Sequence, residues 1–150
     1  MHAALLMATF ALAAPDRPNP RPVELPKTLH EQILGDWRLD RFAVGGGLPD
    51  QPMKTEDRVI QINRTEILVL VNGQLRQEDG TSYKIDVKAN PVTIDITPKN
   101  GATAIMHGIL KLEGEQLVIC FSIGGGARPT QFATNPNDIT ALMYLKRVKR

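Results

Sequence analysis

Cys120 is the single thiol of the chain and lies in the apolar run Leu117-Val118-Ile119-Cys120-Phe121, with no adjacent His or Lys to stabilise a thiolate. The sequence therefore predicts an inert buried sulfur rather than a nucleophile. The histidines His2, His30 and His107 are far apart, and no His-x-x-x-His or Cys-x-x-Cys spacing occurs, so no metal ligand set is expected. Neither Ser82 nor Ser122 sits in a Gly-x-Ser-x-Gly elbow. The acid pairs Glu56-Asp57 and Glu78-Asp79 adjoin turns, where carboxylates serve turn chemistry and solvation. Asp95 lies mid-strand, but Thr93 and Thr97 place it on a polar face. The runs Gly45-Gly46-Gly47 and Gly124-Gly125-Gly126 precede neither a Lys-Ser/Thr pair nor a helix that would aim amides at an anion, which excludes a phosphate cradle. No catalytic residue, metal or cofactor is expected, and the chain does not read as an enzyme.

The segment most suited to binding runs from Arg128 to Asn137, where Arg128, Pro129, Thr130 and Phe132 are concentrated between the last two predicted strands. Long irregular segments in compact domains are commonly functional. The expectation is a loop at one barrel mouth, with Phe132 as plug or gate and Arg128 bound to backbone carbonyls or to a ligand.

These residues must be positioned by β structure. Tyr83-Ile85-Val87 alternates with polar neighbours, as does Val92-Ile94-Ile96, the period-two pattern of strands with one wet face. Ala89-Asn90-Pro91 turns between them. Further strands are predicted over 36–44, 58–63, 66–71, 103–112, 116–122 and 139–148, with turns at Asn72-Gly73, Asp79-Gly80, Asn100-Gly101 and Glu113-Gly114-Glu115. Thr28, with Glu31 three positions on, reads as a capping box for a two-turn helix stopped by Gly35. Eight sequential strands avoid exposed edges by closing on themselves. The predicted fold is all-β: a small up-and-down eight-stranded barrel with a short N-terminal helix.

Residues 3–14 are apolar except for Thr9, too short for a membrane-spanning helix but suited to a secretory signal. Ala11-Leu12-Ala13 offers a cleavage site, and Pro15, Pro18, Pro20, Pro22 and Pro26 follow. The expected organisation is a signal peptide at 1–13, a Pro-rich linker at 14–27 and one domain at 28–150, exported to the periplasm or beyond. At 150 residues, 42% hydrophobic and with a net charge of +2, the chain fits one globular domain and carries no general signature of nucleic-acid binding.

Ile33-Leu34-Gly35-Asp36-Trp37-Arg38-Leu39 resembles the Gly-x-Trp opening of lipocalins (calycin-type barrels). The series Gly108 to Phe121, then Arg128-Pro129-Thr130-Gln131-Phe132 and Leu145-Lys146-Arg147, is similar to the lipocalin-like conserved domain found in many secreted planctomycete proteins. That family commonly has Tyr where Leu110 stands here. The resemblance implies fold and export and leaves activity open. It also implies that Arg147 stacks on Trp37 beside Gly35, a structural role.

Two functions follow. One is a module holding a small apolar ligand in an interior lined by Leu39, Ile60, Ile62, Leu68, Ile85, Ile94, Met106 and Ile119, with Phe132 and Arg128 at the entrance. The other is a packed structural or protein-interaction module with no ligand. His107 shares a strand face with Ile105, Ile109 and Lys111 and is expected at the outer surface or rim. Mass spectrometry of native protein is expected to show a chain beginning at Ala14, and an intact Met1 chain from cytosol would contradict export.

Overall fold

The computed structural model describes residues 27–46, 57–101 and 104–149. The expected signal peptide, most of the linker, Glu56 and the 47–52 part of the first Gly-rich segment lie outside those residues. One helix, α1 (Leu29–Ile33), precedes eight strands: β1 (Gly35–Val44), β2 (Arg58–Ile62), β3 (Glu66–Val71), β4 (Gln74–Asp86), β5 (Val92–Pro98), β6 (Met106–Glu113), β7 (Gln116–Ser122) and β8 (Thr140–Arg147). The strands form one closed antiparallel barrel in chain order, with β8 paired back to β1. This is the small up-and-down eight-stranded barrel with a short helix that the patterning predicts, the lipocalin-like shape that the resemblance implies. Among the described residues no helix is long and apolar enough to cross a membrane.

Period-two alternation sends one residue of each strand pair inward. A single cluster drawn from α1 and all eight strands fills the interior, including Trp37, Ile60, Ile67, Tyr83, Ile94, Leu110, Ile119 and Leu145. Leu39, Ile85 and Met106 are half-buried against it. Leu68 is a correction: it pairs with Gln61, while its neighbours Ile67 and Val69 pair with Ile62 and Ile60. Since Ile60 and Ile62 face inward, Leu68 faces outward by the alternation of side chains along a strand.

Three local expectations also change. The capping box is present, with Thr28 N donating to Glu31 Oε2 at 2.9 Å and Glu31 N donating to Thr28 Oγ1 at 3.3 Å. Yet the helix has only five residues, and Gly35 opens β1 rather than capping the helix. Asp79-Gly80 makes no turn, because β4 runs through it and the irregularity is absorbed opposite Leu68, where the β3–β4 register shifts. Asn72 and Gly73, by contrast, both adopt positive φ (51° and 77°), the conformation a two-residue hairpin turn requires.

The barrel floor is closed by hydrogen bonds as well as packing. Trp37, fully buried, donates Nε1–H to Ile33 O at 2.8 Å. The Arg147 guanidinium lies 4.2 Å over its ring and donates to Leu34 O at 3.2 Å and to Gln32 O. Lys146 points the other way, to Asp40 at 3.1 Å. Tyr83 donates its hydroxyl proton to Asn63 O at 2.6 Å. The hydrogen shared with His30 at 2.9 Å therefore comes from His30 Nε2. Burial pushes the Tyr83 hydroxyl above its ordinary pKa, so it stays a neutral donor.

Trp37→Ala removes both the ring and the helix anchor and is expected to cost about 3–5 kcal/mol in denaturant unfolding, most of the stability of a small domain. Arg147→Met is expected to cost about 1–2 kcal/mol. Equal, small losses from both would contradict a floor organised around Trp37.

Candidate functional site

On β7 the residues between the inward Leu117, Ile119 and Phe121 are also apolar, so Val118 and Cys120 face outward. With Ile109 and Leu142 they form a second buried cluster, separate from the interior one. These outward residues are only 0–2% exposed. Residues 123–139, which join β7 to β8, fold back over the outer wall as a strap and bury them. Phe132 packs on this cluster, with Lys111 Nζ 4.8 Å over its ring. The expectation of Phe132 as plug or gate at a barrel mouth is thus corrected: the apolar surface that attracts it is on the outside of the wall.

Arg128 is the strap's polar anchor. Its Nη1 donates to Gly108 O at 2.7 Å and Ile94 O at 3.2 Å, and its Nη2 to Asp95 Oδ1 at 2.7 Å. His107 Nδ1 lies 2.8 Å from the same carboxylate oxygen, so it must carry a proton toward Asp95. The 3.5 Å approach of Arg128 Nη2 to that nitrogen is accordingly two donors sharing one acceptor. Burial raises the Asp95 pKa, but the hydrogen bonds and charges of His107 and Arg128 outweigh it, and the net shift is downward.

Local sequence explains why the anchor fits. A Cβ at Gly108 would come within 2.8 Å of Cys120 O, 2.9 Å of Phe121 Cβ and 3.1 Å of Ile94 Cγ2. Only glycine lets β5, β6 and β7 approach this closely where Arg128 bonds. Ser122 Oγ then shares its single proton between Gly126 O at 2.9 Å and His107 O at 3.2 Å, while Ile123 N donates to Ile139 O at 2.7 Å. Cys120 Sγ sits 3.6 Å from Ala133 O, and burial pushes its thiol pKa up.

Asp95, His107 and Ser122 thus stand outward on three neighbouring strands, the residue types of a hydrolase triad. The hydroxyl proton of Ser122 is turned to backbone carbonyls, and among the described residues the ring and the hydroxyl share no hydrogen bond. The row works here as strap attachment. Among the described residues no group of three His, Cys, Asp or Glu is gathered that could hold a metal.

Two hollows adjoin the strap. The larger, about 610 Å³ and open to one side, is lined by the strap together with Ser122 and Thr140. The smaller, about 240 Å³, lies between Asn90-Pro91 and Arg128-Pro129-Thr130 over Thr93 and Ile109. Of the residues expected to bind a ligand, Arg128 lines both hollows. Phe132 faces the wall, and Ile85, Ile94 and Met106 belong to the interior cluster. The structure therefore does not bring those five together. The Asp95–His107–Arg128 contacts lie beyond sequence reasoning, which puts Asp95 on a polar face and His107 at the outer surface or rim but cannot set their register. No protein-family model, curated protein or solved structure matches the chain, and the geometry alone defines the site.

Cys120 lies under the strap, so its labelling reports strap opening. Arg128→Met and Phe132→Ala are each expected to speed labelling by a pyridyl disulfide by about tenfold or more. A depressed carboxylate contributes stability fully above its unfolded value, about pH 4, and loses it as pH falls through the folded value. Labelling of the unmodified protein relative to a denatured control is therefore expected to rise in acid below about pH 4. Rates unchanged in both variants would contradict the strap's anchoring.

Proposed function

We propose that the protein is a non-catalytic, exported, lipocalin-like binding module in which the barrel is a filled scaffold and the strap hollow is the binding site. The observation that carries this reading is the contrast between interior and exterior. Among the described residues, Trp37, Leu117, Ala141 and Leu145 are 0% exposed, and Ile94, Leu110 and Ile119 are 1% exposed, so their side chains pack closely against one another in the middle of the barrel. The large hollow instead lies in residues 122–140, within the range of small-molecule sites. Such packing suits an eight-stranded barrel, whose interior is just wide enough for its own side chains.

Ile85 and Met106 keep partial exposure within the interior cluster, so they are the interior positions to watch when an apolar ligand is offered. The resemblance to exported planctomycete lipocalin-like domains and the Ala-x-Ala signal support the export part of the reading.

Amide chemical shifts of the folded protein during titration with a mixed small-molecule fragment set test the location. Saturable shifts are expected within residues 122–140, with Ile85, Ile94 and Met106 unmoved. Shifts centred on those three residues would place the ligand in the barrel and overturn the proposal.

A further inference from the structure

Resting on the reading of the strap hollow as the binding site, we propose that its ligand is a neutral, polyhydroxylated molecule of mono- or disaccharide size. The lining supports this by its chemistry. Thr130, Gln131 and Asn137 offer hydroxyl and amide groups that both donate and accept, while Pro129 and Pro136 add apolar ring faces. A sugar presents that same alternation of hydroxyls and C–H faces.

The competing ligand classes meet specific obstacles. An anion would look to Arg128, the only cationic side chain among the described residues that line the hollow. That guanidinium is already committed to Asp95 and to the Gly108 and Ile94 carbonyls, while Asp138 in the same lining would repel the anion. A hydrocarbon chain would strip water from threonine, glutamine and asparagine groups and give no hydrogen bond in return, at a free-energy cost. The strap's aromatic ring, which would favour such a chain, is spent on the barrel wall.

The hollow is also set before any ligand arrives. Asn137 N donates to Asn135 Oδ1 at 3.0 Å, Asp138 N to Asn135 O at 3.2 Å, and Thr140 N to Asp138 O at 2.8 Å. With Ser122 Oγ on Gly126 O at the other end, both flanks of the strap are fixed. Ordering paid on folding is not charged again on binding, which lets weak neutral hydrogen bonds give measurable affinity. Among the described residues the side chains of Gln131 and Asn137 make no hydrogen bond, so they can turn to a ligand without dismantling the strap.

The test is an amide-shift titration of the folded protein with cellobiose, maltose and N,N′-diacetylchitobiose, beside laurate as an apolar probe and glucuronate as a charged one. At least one neutral disaccharide is expected to give saturable shifts within residues 123–139. Gln131→Ala and Asn137→Ala are expected to weaken it by about five- to tenfold each, while Cys120 labelling stays slow and so reports an intact strap. If laurate or glucuronate saturates those amides and no neutral sugar does, the ligand class is wrong and the strap site stands. If no compound moves them, or the shifts fall on the barrel interior, the sugar proposal and the strap reading fail together.

Discussion

Strand β7 is buried on both faces, and the placement of every other functional group follows from covering it. Its inward residues Leu117, Ile119 and Phe121 complete the barrel core, while Val118 and Cys120 look outward and are as inaccessible as the core itself. An apolar patch on the outer face of a sheet is an invitation to association unless something of the chain's own lies on it. The chain supplies that cover with residues 123–139, and the crossing of this strap over the wall is what creates the hollow.

A covering loop brings its own difficulty, because irregular backbone laid against a sheet must find partners for its polar groups. The strap meets it at both ends through Ser122 with Gly126 and Ile123 with Ile139. In the middle, one arginine reaches across two strands. Arg128 suits this better than lysine would, since its planar fork satisfies two carbonyls and a carboxylate at once. Asp95 balances its charge, and His107 holds Asp95 from the opposite strand. The Lys111 ammonium above Phe132 closes the apolar half of the same seal. With Phe132 and Arg128 both spent on attachment, the neutral side chains between and beyond them are left to face the hollow.

The sequence made the barrel legible because alternation in 82–88 and 92–97 fixes both strand character and facing, and because short turns force neighbours to pair in order. The floor was legible through Gly35-Asp36-Trp37 and the capping box at Thr28. The inward expectation for Leu68 fails because Ile67-Leu68-Val69-Leu70 is apolar at every position, so alternation cannot choose a face there. The same ambiguity held the missed clue to the site. Leu117-Val118-Ile119-Cys120-Phe121 is a continuous apolar run, which in a strand signals burial on both sides, and the long segment that follows is the nearest cover in the chain. A mouth is expected for Phe132 because loops between strands end there, whereas the ring packs on the apolar outer wall instead. The pairing of Asp95 with His107 and the reach of Arg128 depend on register across a connection that includes residues 102–103, and no local pattern encodes it.

The most direct test of a strap seated on the outer wall is a nuclear Overhauser measurement from the Phe132 ring to assigned methyl groups. Cross-peaks to Val118 and Leu142, with Cys120 β-protons nearby, are expected from the outer cluster. Cross-peaks to Ile96, Met106 or Met143 instead would put the ring in the barrel interior and contradict both the strap and the site built from it.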